Sequence, residues 1–157
     1  NKDKKVALYV PEMIGALKAL KPSEGFVEGY PFVLMAGERR GYNANQIYRD
    51  PNWRKTDKEG FLRLHPADAA SLHVEDDEWI TVQSAHGEVR VKARLDDSVR
   101  QGMCTLPHGY GQRHGGEVHG PALNQLVPSD WCEPFSKTPY HKWVPVRLIK
   151  ALEPAAA

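Results

Sequence analysis

The sequence is short of cysteine, of net charge and of long apolar runs. Two cysteines in 157 residues can build neither a disulfide framework nor a four-cysteine zinc site. Lys and Arg total 21 against 20 Asp and Glu, a formal net charge of +1, so no strongly basic surface speaks for nucleic acid as a partner. No run approaches the roughly 18 apolar residues of a membrane helix, and no membrane insertion is expected. No internal repeat or low-complexity tract is present. Nor is a charged start followed by an apolar stretch and a cleavage site. What the chain has in number is Pro (12) and Gly (13), which predict many turns between short elements. Its length suits one domain with a real core. It begins at Asn1 rather than Met, so the expectation is a piece of a longer polypeptide. The compartment stays open, with the cytoplasm favoured, because an export signal would precede Asn1.

Residues 1–30 read as an arm or inter-domain segment, with a short strand over Lys5–Val10 and a short helix over Met13–Leu20. The main domain is expected over 31–150 and a tail over 151–157. Pro31–Ala36 is a continuous apolar run of the length of a strand buried on both faces. A polar loop follows to about Gly60. Between Glu38 and Lys58 it holds six bases against three acids. Phe61–Leu64 predicts a strand, and His65–Leu72 a short helix with Pro66 in its first turn. Glu78–Ser84, a turn at Ala85-His86-Gly87, and alternating Val89, Val91, Ala93 and Leu95 predict a hairpin with one half-buried strand. Met103–Leu106 and Trp143–Leu148 predict two more strands, and Pro107–Pro139 reads as mostly loop. Many short strands, few helices and long polar loops imply a sandwich or barrel that is functional at its loops.

Four stretches could carry chemistry. Gly37-Glu38-Arg39-Arg40-Gly41-Tyr42-Asn43-Ala44-Asn45 combines a glycine for close backbone approach, guanidinium forks for phosphate or carbonyl oxygens and amides that both donate and accept. A solvated polar turn is the plain alternative. Pro107-His108-Gly109-Tyr110-Gly111 reads either as a ligand-gripping turn or as a tight surface turn. His108, His114, Glu117 and His119 lie in a glycine-rich stretch, but their spacing fits neither a zinc helix nor a zinc finger. A mobile loop is expected there, not a metal site. Asn124-Gln125-Leu126 through Asp130-Trp131 offers amides for the edges of a planar ligand, or a tryptophan cap on the core. Thr138–Lys142 by itself reads as a connector. Cys104 reads as core. Cys132 has no base near it in sequence. No credible nucleophile or metal-ligand set emerges.

In this order, the stretches resemble the C-terminal molybdopterin-dinucleotide-binding domain of the dimethyl-sulfoxide-reductase superfamily, which includes formate dehydrogenases and nitrate reductases. Four segments carry the resemblance: Phe32–Arg40, Leu64–Val82, Val99–Gly111 and Asn124–Lys142. In the second, the family usually has Gly where this chain has His73. The Lys137-Thr138-Pro139-Tyr140-His141-Lys142 ending looks most like the formate dehydrogenase branch. The resemblance covers roughly residues 30–150, leaving residues 1–30 and the His114–His119 stretch unmapped. It implies a mainly β fold, a six-stranded double-psi β-barrel with short helices and long cofactor-facing loops, as the last domain of a larger enzyme. The implied cofactor is molybdopterin guanine dinucleotide with molybdenum or tungsten. The metal ligand, and any iron–sulfur cluster, would lie in a preceding domain. Implied cofactor contacts are Gly37, Glu38, Arg39, Asn43, Asn45, His108, Gly109, Tyr110, Asn124 and Lys142, with the choice between Arg39 and Arg40 open. Implied partners are the preceding domains of the same polypeptide and electron-transfer subunits. The competing reading is a non-catalytic double-psi barrel that recognises a protein or peptide, for which an exposed apolar patch is the mark. A self-contained small enzyme is the third.

Overall fold

The computed structural model describes residues 3–6, 8–21, 27–38, 49–54 and 57–151. Within them six strands close on themselves. These are β1 (Phe32–Glu38), β2 (Phe61–Leu64), β3 (Trp79–Gln83), β4 (Glu88–Leu95), β5 (Met103–Pro107) and β8 (Val144–Lys150), in the order β1-β5-β2-β4-β3-β8. Two further short strands, β6 (Gln112–His114) and β7 (Glu117–His119), pair outside the barrel. The helices are α1 (Pro11–Lys18) and α2 (Pro66–Ser71), with 3-10 turns at Pro51–Trp53 and Leu123–Leu126. The architecture is the six-stranded double-psi β-barrel expected from the resemblance.

The period-2 pattern of β4 does what such a pattern must. Val89, Val91 and Ala93 enter the core, while Arg90, Lys92 and Arg94 stay on the outer wall. Leu62 and Leu64 of β2, Ile80 and Val82 of β3, Cys104 and Leu106 of β5 and Val144, Val146 and Leu148 of β8 fill the rest. From Phe32 to Gly37 every residue of β1 is buried except Met35, which reaches solvent, so the strand is buried on both faces save at that one position. Leu123 and Leu126 join the core cluster from the last 3-10 turn. Two apolar side chains therefore plug one end of the barrel and leave Asn124 and Gln125 exposed on its rim.

Three expectations need correction. The described residues of Lys5–Val10 form no strand and are exposed. The six barrel strands close on each other, so no barrel edge remains for such a strand to pair with. The helix starts at Pro11 rather than Met13, with proline in its first turn, where a missing N–H costs nothing. The expected loop over 107–139 contains the β6–β7 hairpin. Gly115 and Gly116 both have positive φ, +60° and +90°, as a two-residue turn matched to strand twist requires. The glycines that argue against a helix there build a hairpin turn instead.

α2 begins as expected, with His65 Nδ1 accepting from Ala67 N at 3.0 Å. It ends at His73, whose φ is +53°. That is the left-handed position just past a helix, where glycine is unstrained. Replacing His73→Gly should raise stability by about 0.5–1 kcal/mol, the relieved strain less the larger unfolded-state entropy of glycine. The check is a higher denaturant midpoint at unchanged slope.

Candidate functional site

Strand direction decides which loops meet. β1 and β5 run parallel, with Leu34 beside Cys104 and Glu38 beside Pro107, and the register shifts between Ala36 and Glu38. β8 runs antiparallel to β1, and β2 antiparallel to β5. One end of the barrel therefore collects the exits of β1 and β5 and the entries of β2 and β8. Segments far apart in sequence arrive there together: Gly37-Glu38, Asp57–Gly60, His108–Gly111 and His141-Lys142.

Gly37 is the hinge of this end. Its φ is +80°, and a Cβ there would stand 3.3 Å from both His141 Cδ2 and Lys142 Nζ. Lys142 Nζ donates to Gly37 O at 3.2 Å, which uses one of three ammonium donors. Ala36 N donates to His141 O at 2.9 Å, so the segment entering β8 is laced to β1 beyond their register. Beside it His108, Asn124, Ser129 and His141 line a groove of about 360 Å³ whose other walls include Leu123 and Pro139. Imidazole, amide and hydroxyl groups set among apolar walls, with the Lys142 ammonium next along the chain from His141, suit a planar ligand with hydrogen-bonding edges and an anionic part.

The structure separates other expected contacts from this groove. Glu38 turns to the outer wall, where its carboxylate accepts from Thr105 Oγ1 at 3.0 Å and pairs with Arg63 Nη1 at 3.2 Å. Arg63 also reaches Asp96 Oδ2 at 3.3 Å, and the Ser98 hydroxyl beside Asp96 holds that carboxyl below its usual range. Tyr110 is buried, and its hydroxyl donates to Asp57 O at 2.7 Å. The expectation of a ligand-reading Tyr110 thus meets a hydroxyl engaged within the chain. Gly109 offers its carbonyl to Arg54 Nη2 at 3.4 Å. Arg39, Asn43 and Asn45 lie outside the described residues.

Two participants carried no signal in the sequence. Arg54 is only 2% exposed; its Nη1 donates to Lys58 O at 2.6 Å and its guanidinium lies 4.3 Å from the Tyr110 ring centroid. Nothing in the spacing of six bases marks one as internal. His141 stood in a stretch that reads as a connector, and only the pairing of β1 with β8 brings it to the groove.

The histidines of the hairpin point elsewhere. His119 Nδ1 lies 3.3 Å from Glu59 Oε1 and His114 Nε2 lies 3.9 Å from Asp50 Oδ1. Among the described residues no three His, Cys, Asp or Glu side chains are grouped to hold a metal ion. Burial pushes the Cys104 thiol far above its usual range, which suits core and not a nucleophile.

Comparison with known proteins agrees with this fold. A family model described as "Molydopterin dinucleotide binding domain" matches residues 32–145. The chain is 33% identical over 81 residues to acetylene hydratase of Syntrophotalea acetylenica, covering 51% of this chain and 11% of that protein. It is 27% identical over 99 residues to the F420-dependent formate dehydrogenase subunit alpha of Methanocaldococcus jannaschii, covering 62% of this chain and 15% of that subunit. The solved structure of acetylene hydratase from Pelobacter acetylenicus superposes with a TM-score of 0.65 at 26% identity, over 78% of this chain and 18% of that one. The chain thus spans less than a fifth of the length of these relatives.

Tyr110→Phe should leave the ring under Arg54 and strip the Asp57 carbonyl of its donor. The expected loss is about 1 kcal/mol, read as a lower denaturation midpoint with no ligand present.

Proposed function

Because this chain belongs to the Molydopterin dinucleotide binding domain family, we propose that it is the cofactor-covering barrel of a larger molybdenum or tungsten oxidoreductase of formate dehydrogenase type. Its loops would hold molybdopterin guanine dinucleotide. The observation that carries the reading is the meeting of Gly37, His108, Asn124, His141 and Lys142 at one barrel end. Lys142 balances an anionic oxygen, Gly37 lets Lys142 and His141 come close to the backbone, and Asn124 and His108 address ring edges. When bound, the cofactor supplies two-electron transfer at its metal. The chain's own residues bind and orient.

The formate dehydrogenase part rests on the Lys-Thr-Pro-x-x-Lys ending and on formate dehydrogenases among the relatives. Acetylene hydratase carries a different named reaction, so family membership as such does not choose between them. In this reading any iron–sulfur cluster belongs to a preceding domain.

Preceding domains and electron-transfer subunits are the partners of this reading, and α1 supports a protein contact. Leu8, Met13, Leu17 and Leu20 are exposed, and they line a groove of about 420 Å³ with Phe135 and Tyr140. Such a patch is also what a recognition module asks for. Within the oxidoreductase it is a seat for other parts of the assembly.

In the larger enzyme, released pterin and guanine nucleotide should accompany molybdenum or tungsten. Asn124→Ala should lower bound pterin about tenfold, the scale of one lost hydrogen bond to a buried ligand. Full pterin content with full activity would remove Asn124 from the site.

A further inference from the structure

The stretch from Trp131 to Lys142 delivers the cation of the site to Gly37, and one carboxylate gives that stretch its shape. Glu133 accepts from Phe135 N at 2.9 Å and from Ser136 N. Its own N–H donates to Thr138 O at 3.0 Å, and Tyr140 N donates to Trp131 O at 3.1 Å. Cys132 and Pro139 form a bridge between the two limbs. Trp131 meets Tyr140 edge-on, with ring centroids 5.8 Å apart, which fixes the base of the loop. The chain then leaves at His141, whose carbonyl is held by Ala36 N at 2.9 Å, and at Lys142, whose Nζ reaches Gly37 O at 3.2 Å.

Residues 134–140 are exposed, so burial does not set the path of this loop. Hydrogen bonds must do so, and most of those at its apex converge on Glu133, with the Ser136 and Thr138 hydroxyls 2.6 Å apart beside them. The Ser136 hydroxyl and then the Phe135 N–H hold the Glu133 carboxyl down at about 2. The acceptor is therefore charged at any ordinary pH, and a charged acceptor makes the stronger bonds.

We propose that Glu133 is a positioning residue of the site: by closing the 133–138 turn it sets where His141 and Lys142 meet Gly37. The proposal rests on the reading of Lys142 as a cofactor contact, and it is tested without the cofactor. Because the barrel closes around its own core, the 157-residue chain is the sample. Amide exchange is followed by NMR in Glu133→Ala, Glu133→Gln and Glu133→Asp.

The Ala36 amide should exchange about tenfold faster in Glu133→Ala, and nearly as fast in Glu133→Gln, as expected on losing charge-assisted bonds. The Lys142 side-chain signals should move, while the Leu62 and Val91 amides of the barrel keep their rates. Glu133→Asp, which keeps the charge, should restore most of the Ala36 protection. An unchanged Ala36 rate in both Ala and Gln variants would overturn the proposal. So would equal acceleration of Leu62 and Val91, which would make Glu133 a support of the whole fold. Pterin retention in the larger enzyme separates the two readings. Faster Ala36 exchange with pterin unchanged would uphold positioning by Glu133 and strike Lys142 from the cofactor site.

Discussion

The parallel pairing of β1 with β5 is the constraint on which the rest depends. A parallel pair sends both strands out at the same end of a sheet. Here it brings the Gly37 turn and the His108 turn side by side, although about 70 residues of chain separate them. The register shift between Ala36 and Glu38 re-aims the strand at its exit, a usual place for such an irregularity. With Gly37 at φ +80°, backbone rather than side chain lies against Lys142. Closure of the sheet then fixes the remaining loops around that end.

Beneath this rim the structure places an unusual internal cation. Arg54 is almost wholly buried, and its guanidinium is spread over the Tyr110 face and two carbonyls, Lys58 O and Gly109 O. A buried guanidinium is tolerated only when its donors are engaged. Those two carbonyls belong to the loop before β2 and the loop after β5. Tyr110 adds a third tie through Asp57 O. The basic character of the 38–58 loop is thus not all surface charge: one of its arginines staples two loops together below the groove.

The barrel was legible because its strands alternate. β4 declares its two faces residue by residue, and β2, β3 and β5 are bounded by turns within a residue or two of where they lie. The β6–β7 hairpin was not legible, since three-residue strands with mostly exposed side chains show no alternation to read. Of the candidate site, Gly37, His108, Asn124 and Lys142 could be named from motif and resemblance, because each sits in a stretch of marked composition. His141 and Arg54 could not. Their roles arise from contacts across strands and loops distant in sequence, and nothing local distinguishes a buried arginine from its exposed neighbours.

A closed barrel also limits how this chain can meet others. With every strand of the barrel paired on both sides, none of the six offers an edge to a foreign strand, so contacts must use side-chain surfaces and loops. The described surface divides accordingly. The outer wall of β4 is charged and largely paired within the chain, Lys92 with Asp77 and Arg94 with Asp76. The side near α1 is apolar, with Leu17 62% and Leu20 72% exposed. Apolar area of that kind gains most by being covered. Phe135 and Tyr140, which face it, belong to the same loop that Glu133 closes and that ends at Lys142. A partner that covers α1 would therefore also meet Phe135 and Tyr140, so its footprint would extend onto this loop as well as onto the helix.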